Sequence, residues 1–271
     1  MSTSTSASDV EVRTERLRVG EGEVRLLRAS PSPPAPPLLF LHAAGGGGWT
    51  PFLDGLARSF DVLAPDHPGF DESEQTEEAE GIDDLVYHYL RLLDEVGIER
   101  ATVVGASLGG WIAAELAVHS PHRVEKLVLM SPAGLRVPEA PPTDLFFLPP
   151  EQLVPTLFHD PKAAEGLFPA EPSVDDILRA YRNNTAFARY AWRPFLNDPK
   201  LERRLYRITA PTLVIWPDDD RVIPREHAER YVQGIADARL QVIADCGHAM
   251  YGEKPEEFTA AVAAFTNGAG R

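Results

Sequence analysis

Hydrophobic positions along the chain fall into short unbroken runs separated by longer stretches that are apolar every third or fourth residue. Leu38 to Leu41, Val62 to Pro65, Ala101 to Val104, Leu127 to Met130, Pro211 to Trp216 and Leu240 to Ala244 are such runs. Their brevity and continuous apolarity predict strands buried on both faces. Helical stretches follow at Trp49 to Arg58, Ile82 to Val96 and Gly110 to Ala117. Strands alternating with helices at this spacing imply an α/β fold with a mostly parallel, doubly wound sheet covered on both sides. The beginning reads differently: Val10 to Arg18 and Glu23 to Arg28 alternate polar with apolar and flank Gly20-Glu21-Gly22, the signature of a hairpin. The proline-rich stretch Pro31 to Pro37 is a stiff connector, because proline fixes φ and removes donors.

After Met130 the alternation stops. Residues 131 to 206 are rich in proline and aromatics, with one helical piece at Val174 to Tyr190. A long insertion between two core strands is uncommon unless it is functional. The expected organisation is a disordered tail over 1–9, a core formed by 10–134 with 207–271, and a helical cap over 135–206.

Candidate chemistry begins at Gly105-Ala106-Ser107-Leu108-Gly109, between the run Ala101 to Val104 and the apolar stretch Gly110 to Ala117. Glycines two residues either side let strand and helix close on a sharp, strained turn that presents a serine out of the sheet. A serine hydroxyl is a poor nucleophile at neutral pH; it needs a histidine to take its proton and a carboxylate to orient that histidine. Both follow in the chain, each just after a predicted strand: Asp218-Asp219-Asp220 after Trp216-Pro217, and His248 after Asp245-Cys246-Gly247.

With serine, acid and histidine in that order, the chain resembles the α/β-hydrolase superfamily from about Glu11 to Phe265. It looks like the cap-bearing branch that includes small esterases, lactonases, cofactor-free haloperoxidases, epoxide hydrolases and carbon–carbon bond hydrolases, of which the epoxide hydrolases usually place Asp where Ser107 stands. The family's G-x-x-D-x-x-x-P segment implies Asp220 as the acid with Pro224 closing the segment. Pro217 stands where Gly is usual, and Asp219 remains the alternative. Cys246-Gly247-His248 followed by Glu253-Lys254-Pro255 implies His248 as the base. The loop His42-Ala43-Ala44-Gly45-Gly46-Gly47-Gly48 is similar to the family's H-G-x-G oxyanion loop, with Ala43 in place of the first Gly. The oxyanion donors implied are the backbone amides of Ala44 and Leu108. Asp66-His67-Pro68-Gly69-Phe70 resembles another family segment, with Asp71 where a second Gly is usual. The resemblance also places a cap at the insertion. Phe146, Phe147, Leu148, Phe158, Phe168, Phe187, Trp192 and Phe195 would roof Ser107, and His42, Ala43, Phe146, Phe147, Phe187, Trp192 and Ala249 are the expected pocket residues. Any single aromatic more often packs cap onto core; as a set they suggest an apolar small-molecule substrate.

Composition narrows the function class. The 271 residues carry a net charge of −15, which argues against nucleic acid or an anionic membrane as partner. No apolar run reaches membrane-spanning length, and the N-terminus lacks a signal-peptide layout, so a cytoplasmic protein is expected. The single cysteine, Cys246, excludes an intrachain disulfide and reads as core packing. His42 reads as a brace of its loop. His88, His119, His122, His159 and His227 have no second ligand at metal spacing, so no metal and no cofactor are expected.

Three functions are compatible with these residues. The leading one is a serine hydrolase of a carboxylic ester or lactone acting through an acyl-enzyme. The alternative is a carbon–carbon bond hydrolase of the ring-cleavage type. Members of that branch usually carry Asn before the nucleophile and Trp after the histidine, where this chain has Ala106 and Ala249. Asn183, Asn184 and Arg189 are candidates to hold the carboxylate of such a substrate. The third is a binding protein on the same fold, which has no need of an intact Ser-Asp-His set.

Overall fold

The computed structural model describes residues 10–33, 35–165 and 171–268. The expected tail at 1–9, and Phe168 of the expected roof, lie outside these residues. Eight strands form one sheet: β1 (Arg13–Val19), β2 (Gly22–Ala29), β3 (Pro37–Leu41), β4 (Asp61–Pro65), β5 (Ala101–Ala106), β6 (Val124–Met130), β7 (Thr212–Pro217) and β8 (Ala238–Ile243). Their order is β1-β2-β4-β3-β5-β6-β7-β8. The hairpin β1–β2 is antiparallel and turns at Gly20, which takes φ +65°. β2 joins β4 antiparallel, and every later pairing is parallel.

Alternate residues of the central strands feed opposite layers. Leu39, Leu41, Val103, Leu127, Leu129, Val214 and Trp216 pack with the helices α2 (Ile82–Glu95), α3 (Leu108–His119) and α6 (Glu226–Gly234). Leu38, Phe40, Val104, Val128, Leu213 and Ile215 face α1 (Pro51–Ala57) and α8 (Pro255–Thr266). α3 is apolar on nearly every side because it is enclosed: ten of its twelve residues, Leu108 to Ala114 and Leu116 to Val118, are buried. The continuous apolar runs of the sequence are thus strands covered on both faces, as a parallel sheet requires.

The segment between β6 and β7 carries α4 (Pro150–Leu157) and α5 (Val174–Ala191). α5 starts on a reciprocal cap, in which Ser173 Oγ accepts the Asp176 amide and Asp176 Oδ2 accepts the Ser173 amide. Its second half buries Asn183, Ala186, Phe187, Tyr190 and Ala191, whereas Val174, Ile177, Leu178 and Tyr181 in the first half are exposed. Tyr190 donates to Pro68 O at 3.0 Å, which ties the segment to the core, and Gly134 bridges to Asn197 within the segment. A short helix, α7 (Met250–Glu253), precedes α8.

One half-buried acid couples α3 to this segment. Glu115 receives the Trp111 indole N–H at 3.4 Å. Burial, and next the Asp198 carboxylate beside it, pushes the Glu115 carboxyl up to about 7. The folded chain therefore binds more protons than the unfolded one between the ordinary value of 4.5 and about 7. Its stability contribution is present below that window and is lost as the pH rises through it. Glu115→Gln, which cannot ionise, is expected to raise the thermal midpoint by a few degrees near pH 8 and hardly at all near pH 5, on the order of 2 kcal/mol. Calorimetry at the two pH values checks this; an equal shift at both would show that folding does not raise the Glu115 carboxyl.

Candidate active site

β5 runs directly into the turn that carries Ser107, and only glycine fits around it. A Cβ on Gly105 would lie 2.3 Å from Gly109 O, and one on Gly109 would lie 2.1 Å from Leu41 O. This close approach leaves Ser107 at φ +50°, ψ −112°, a backbone state that a non-glycine residue holds only when the surroundings over-determine it. Its amide donates to Met130 O at 2.9 Å, and its carbonyl accepts from Trp111 and Ala133, which pins the turn. Leu108 is the first residue of α3, so its amide has no carbonyl one turn back to bind.

Ser107 Oγ lies 2.9 Å from His248 Nε2, and His248 Nδ1 lies 2.8 Å from Asp220 Oδ2. Ser107 and His248 are buried, and the Asp220 side chain is 1% exposed. The other oxygen of Asp220 accepts the amides of Val222 and Ile223 at 2.8 and 2.9 Å, and Ser131 donates its hydroxyl to Oδ2. Burial by itself pushes the Asp220 carboxyl up, but the His248 imidazole, the Ser131 hydroxyl and the Ile223 amide together hold it below the ordinary range. Ser131 is invisible to sequence reasoning as a site residue: it is one of many serines, and only the pairing of β6 with β7 carries it under Asp220.

The three consecutive aspartates have different surroundings. Asp218 accepts the Cys246 amide at 3.3 Å. Asp219 turns toward the surface, where Arg221 and His159 pair with it. Asp220 alone of the three meets His248. Cys246 is fully buried, and burial pushes its thiol up to about 12, the opposite of an activated nucleophile. The loop bearing His248 is held by the segment between β6 and β7, since Ala249 donates to Leu157 O at 2.8 Å.

The loop after β3 makes a tight turn in which Gly46 donates to Ala43 O at 3.1 Å, with Ala44 and Gly45 at the centre. Positive φ falls on Gly46 and Gly48 and not on Ala43, so alanine in place of the usual glycine carries no backbone strain there. His42 lies beneath the turn. Its Nδ1 donates to Ala43 O at 2.7 Å and its Nε2 accepts the His67 amide at 2.9 Å, which requires a neutral ring. His67 Nε2 in turn donates to His42 O at 2.8 Å while Nδ1 receives the Tyr89 hydroxyl. Burial lowers both imidazoles, consistent with their being neutral braces. From the other side the Tyr251 hydroxyl meets the Ala43 amide.

Phe146 stacks on Phe187 at 4.6 Å between ring centroids and touches Trp192 at 4.8 Å and Phe195 at 6.0 Å. Phe187 is buried in the same cluster as Leu108, with Ala44 packed against it. Phe147 and Trp192 form the solvent-facing part, 76% and 48% exposed. Ala249 is half-buried beside His248. Of the polar residues on α5, Asn183 is buried against the loop after β3, Asn184 is exposed, and Arg189 donates to Ala79 O at 2.8 Å.

A family model described as "Alpha/beta hydrolase family" matches residues 38–262. The chain belongs to this family. Among its relatives is a 2-hydroxy-6-oxo-6-phenylhexa-2,4-dienoate hydrolase of Comamonas testosteroni, 34% identical over 82% of this chain and 84% of that protein. Another is a 2-hydroxy-6-oxononadienedioate/2-hydroxy-6-oxononatrienedioate hydrolase of Paraburkholderia xenovorans (strain LB400), 30% identical over 92% and 93% of the two chains. Among solved structures, the 2-hydroxy-6-oxo-6-phenylhexa-2,4-dienoate hydrolase of Rhodococcus sp. strain RHA1 superposes with a TM-score of 0.78 at 25% identity, covering 95% of this hydrolase and 99% of that chain. Among the described residues of this α/β hydrolase, no helix is long and apolar enough to cross a membrane.

Proposed function

We propose that this α/β hydrolase breaks a carbon–carbon bond beside a ketone carbonyl in a 2-hydroxy-6-oxo-dienoate-type acid, with Ser107, His248 and Asp220 as its catalytic triad. The hydrogen-bonded line from Ser107 Oγ through His248 to Asp220 carries the hydrolytic part of the reading. The relatives in Comamonas and Paraburkholderia support the bond type. His248 takes the Ser107 proton as Oγ adds to the ketone carbonyl, and the Ala44 and Leu108 amides receive the oxyanion. A carbon leaving group departs with its electron pair only when that pair is delocalised. The dienol must therefore first ketonise, its 2-hydroxyl giving up a proton while the carbon next to the ketone gains one, so that the fragment leaves as a conjugated enolate. That enolate takes the proton held by His248, and the neutral His248 then deprotonates the water that attacks the acyl-enzyme and returns this proton to Ser107 Oγ as the acid leaves. The segment between β6 and β7 acts as the cap over this chemistry, supported by Asn183 of α5 donating to Gly45 O and by Leu157 O accepting the Ala249 amide beside His248.

A second reading, hydrolysis of a carboxylic ester or lactone, is favoured by Ala106 and Ala249, two small apolar residues flanking the triad. The same nucleophile and oxyanion donors serve it, with an alkoxide as leaving group. The two readings separate in one assay of purified protein. The expected result is Ser107-dependent loss of the absorbance of 2-hydroxy-6-oxo-6-phenylhexa-2,4-dienoate, with kcat/KM at least about 100-fold above that for p-nitrophenyl butyrate. The reverse ratio would establish the ester reading. A bound dienoate without turnover would point to a binding protein.

A further inference from the structure

The loop that holds Ala44 is gripped from two directions. Asp71 Oδ2 accepts the Gly47 amide at 2.5 Å, so a carboxylate on the core side fixes the far end of the turn. Asn183, reaching across from α5, donates its amide N–H to Gly45 O at 3.1 Å and to Asp71 Oδ1 at 3.2 Å, while its carbonyl accepts the Asp71 amide at 2.8 Å. Both residues are buried, at 7% and 5% exposure. Gly46 sits between them: a Cβ there would lie 2.4 Å from the Asn183 nitrogen and 2.7 Å from Asp71 Oδ2. Asp71 holds φ +44°, a state that Asp tolerates better than most side chains but that glycine takes freely. A residue kept there against its backbone preference, with both carboxylate oxygens engaged, has a use for the carboxylate.

The remaining amides of the turn fit this arrangement. Those of Ala43, Gly46 and Gly47 meet Tyr251, Ala43 O and Asp71 respectively, and Ala44 stands at the centre of the turn they define. We propose that Asp71 and Asn183 form a clamp that sets the position of the Ala44 amide. Through it, a residue of the segment between β6 and β7 controls the oxyanion hole of the core. They are positioning residues acting on the backbone, and neither touches the reacting atoms. The inference rests on the serine-hydrolase reading but not on which bond is broken. When α5 is seated, the turn is locked from above and below; when Asn183 is withdrawn, Gly45 O and one Asp71 oxygen lose their partner together.

The test uses Asp71→Gly, Asp71→Asn and Asn183→Ala in the full chain, with labelling of Ser107 by a fluorophosphonate and turnover of whichever substrate the wild type accepts. Asp71→Gly suits the positive φ, so a carboxylate without a role predicts unchanged or improved stability and unchanged chemistry, and a merely structural one predicts lost stability with unchanged chemistry. The expected result is a fall of about 10- to 100-fold in kcat and in the labelling rate for Asp71→Gly and Asn183→Ala. KM should stay within about twofold and the thermal midpoint near wild type. Asp71→Asn, which keeps an acceptor for the Gly47 amide, should recover part of the loss, and the Asp71→Gly/Asn183→Ala double variant should lose little more than either single one. Wild-type labelling rates in both single variants, or a loss confined to KM, would overturn the clamp. Failure of the wild type to label, or labelling that persists in Ser107→Ala, would instead overturn the serine-hydrolase reading beneath it.

Discussion

Ser107→Ala is expected to lower turnover by about 10,000-fold or more, with KM and the thermal midpoint little changed. The size of the effect follows from the geometry. His248 Nε2 has one partner in line with the substrate face, Ser107 Oγ at 2.9 Å, and without it neither the histidine nor Asp220 has a nucleophile to activate. The residual rate would be that of an intact oxyanion hole acting on attack by water. Stability should hold because the turn is fixed by backbone bonds to Met130, Trp111 and Ala133 and by the fit of Gly105 against Gly109, none of which uses the hydroxyl. Loss of fluorophosphonate labelling, read by intact-protein mass, checks the same residue independently of the substrate. A variant that kept most of its turnover would remove Ser107 from the mechanism.

Asp220→Asn should cost about 1,000- to 10,000-fold in kcat, whereas Asp219→Asn should stay within a few-fold of wild type. An asparagine at 220 can still accept the amides of Val222 and Ile223, but it cannot stabilise the imidazolium that forms when His248 takes the proton. Asp219 is engaged by Arg221 and His159 at the surface, so its loss breaks exposed pairs of small worth. Because the folded Asp220 carboxyl lies below its ordinary value of 3.8, it is ionised wherever His248 works. Its stabilising contribution is present above that value and is lost only as the pH falls through the lower folded value. Turnover of the two variants, measured with acid denaturation of each, separates the roles. A larger loss at Asp219 would reverse the assignment.

Much of this architecture is legible in the chain. Short apolar runs alternating with amphipathic stretches specify strand and helix by period, and every predicted core strand lies within one or two residues of β3 to β8, apart from the earlier start of β6. The run 105–109 was legible as a strained serine turn because glycine at two fixed offsets has a steric cause, which the approach of Gly109 to Leu41 O makes concrete. The acid was less so. Three adjacent aspartates are alike in one dimension, and only the direction of the backbone after β7 decides that the third points inward while the second meets Arg221. Asp71 read as a departure from a glycine pattern, and Asn183 as a candidate for holding a carboxylate. Neither reading contains the contact between them, because 112 positions separate the two residues along the chain.

The sequence by itself determined the α/β alternation, the strained serine turn and the order of serine, acid and histidine, since each rests on local periodicity, on steric needs within five residues, or on types placed just after a strand. Tertiary structure alone decided which aspartate faces His248, that Ser131 supports it, that His42 and His67 are neutral braces, and that α5 reaches the loop after β3 through Asn183. Those are contacts between elements far apart in the chain. They exist because the sheet order brings β6, β7 and β8 side by side and the insertion folds back over β3, and no local pattern encodes that distance.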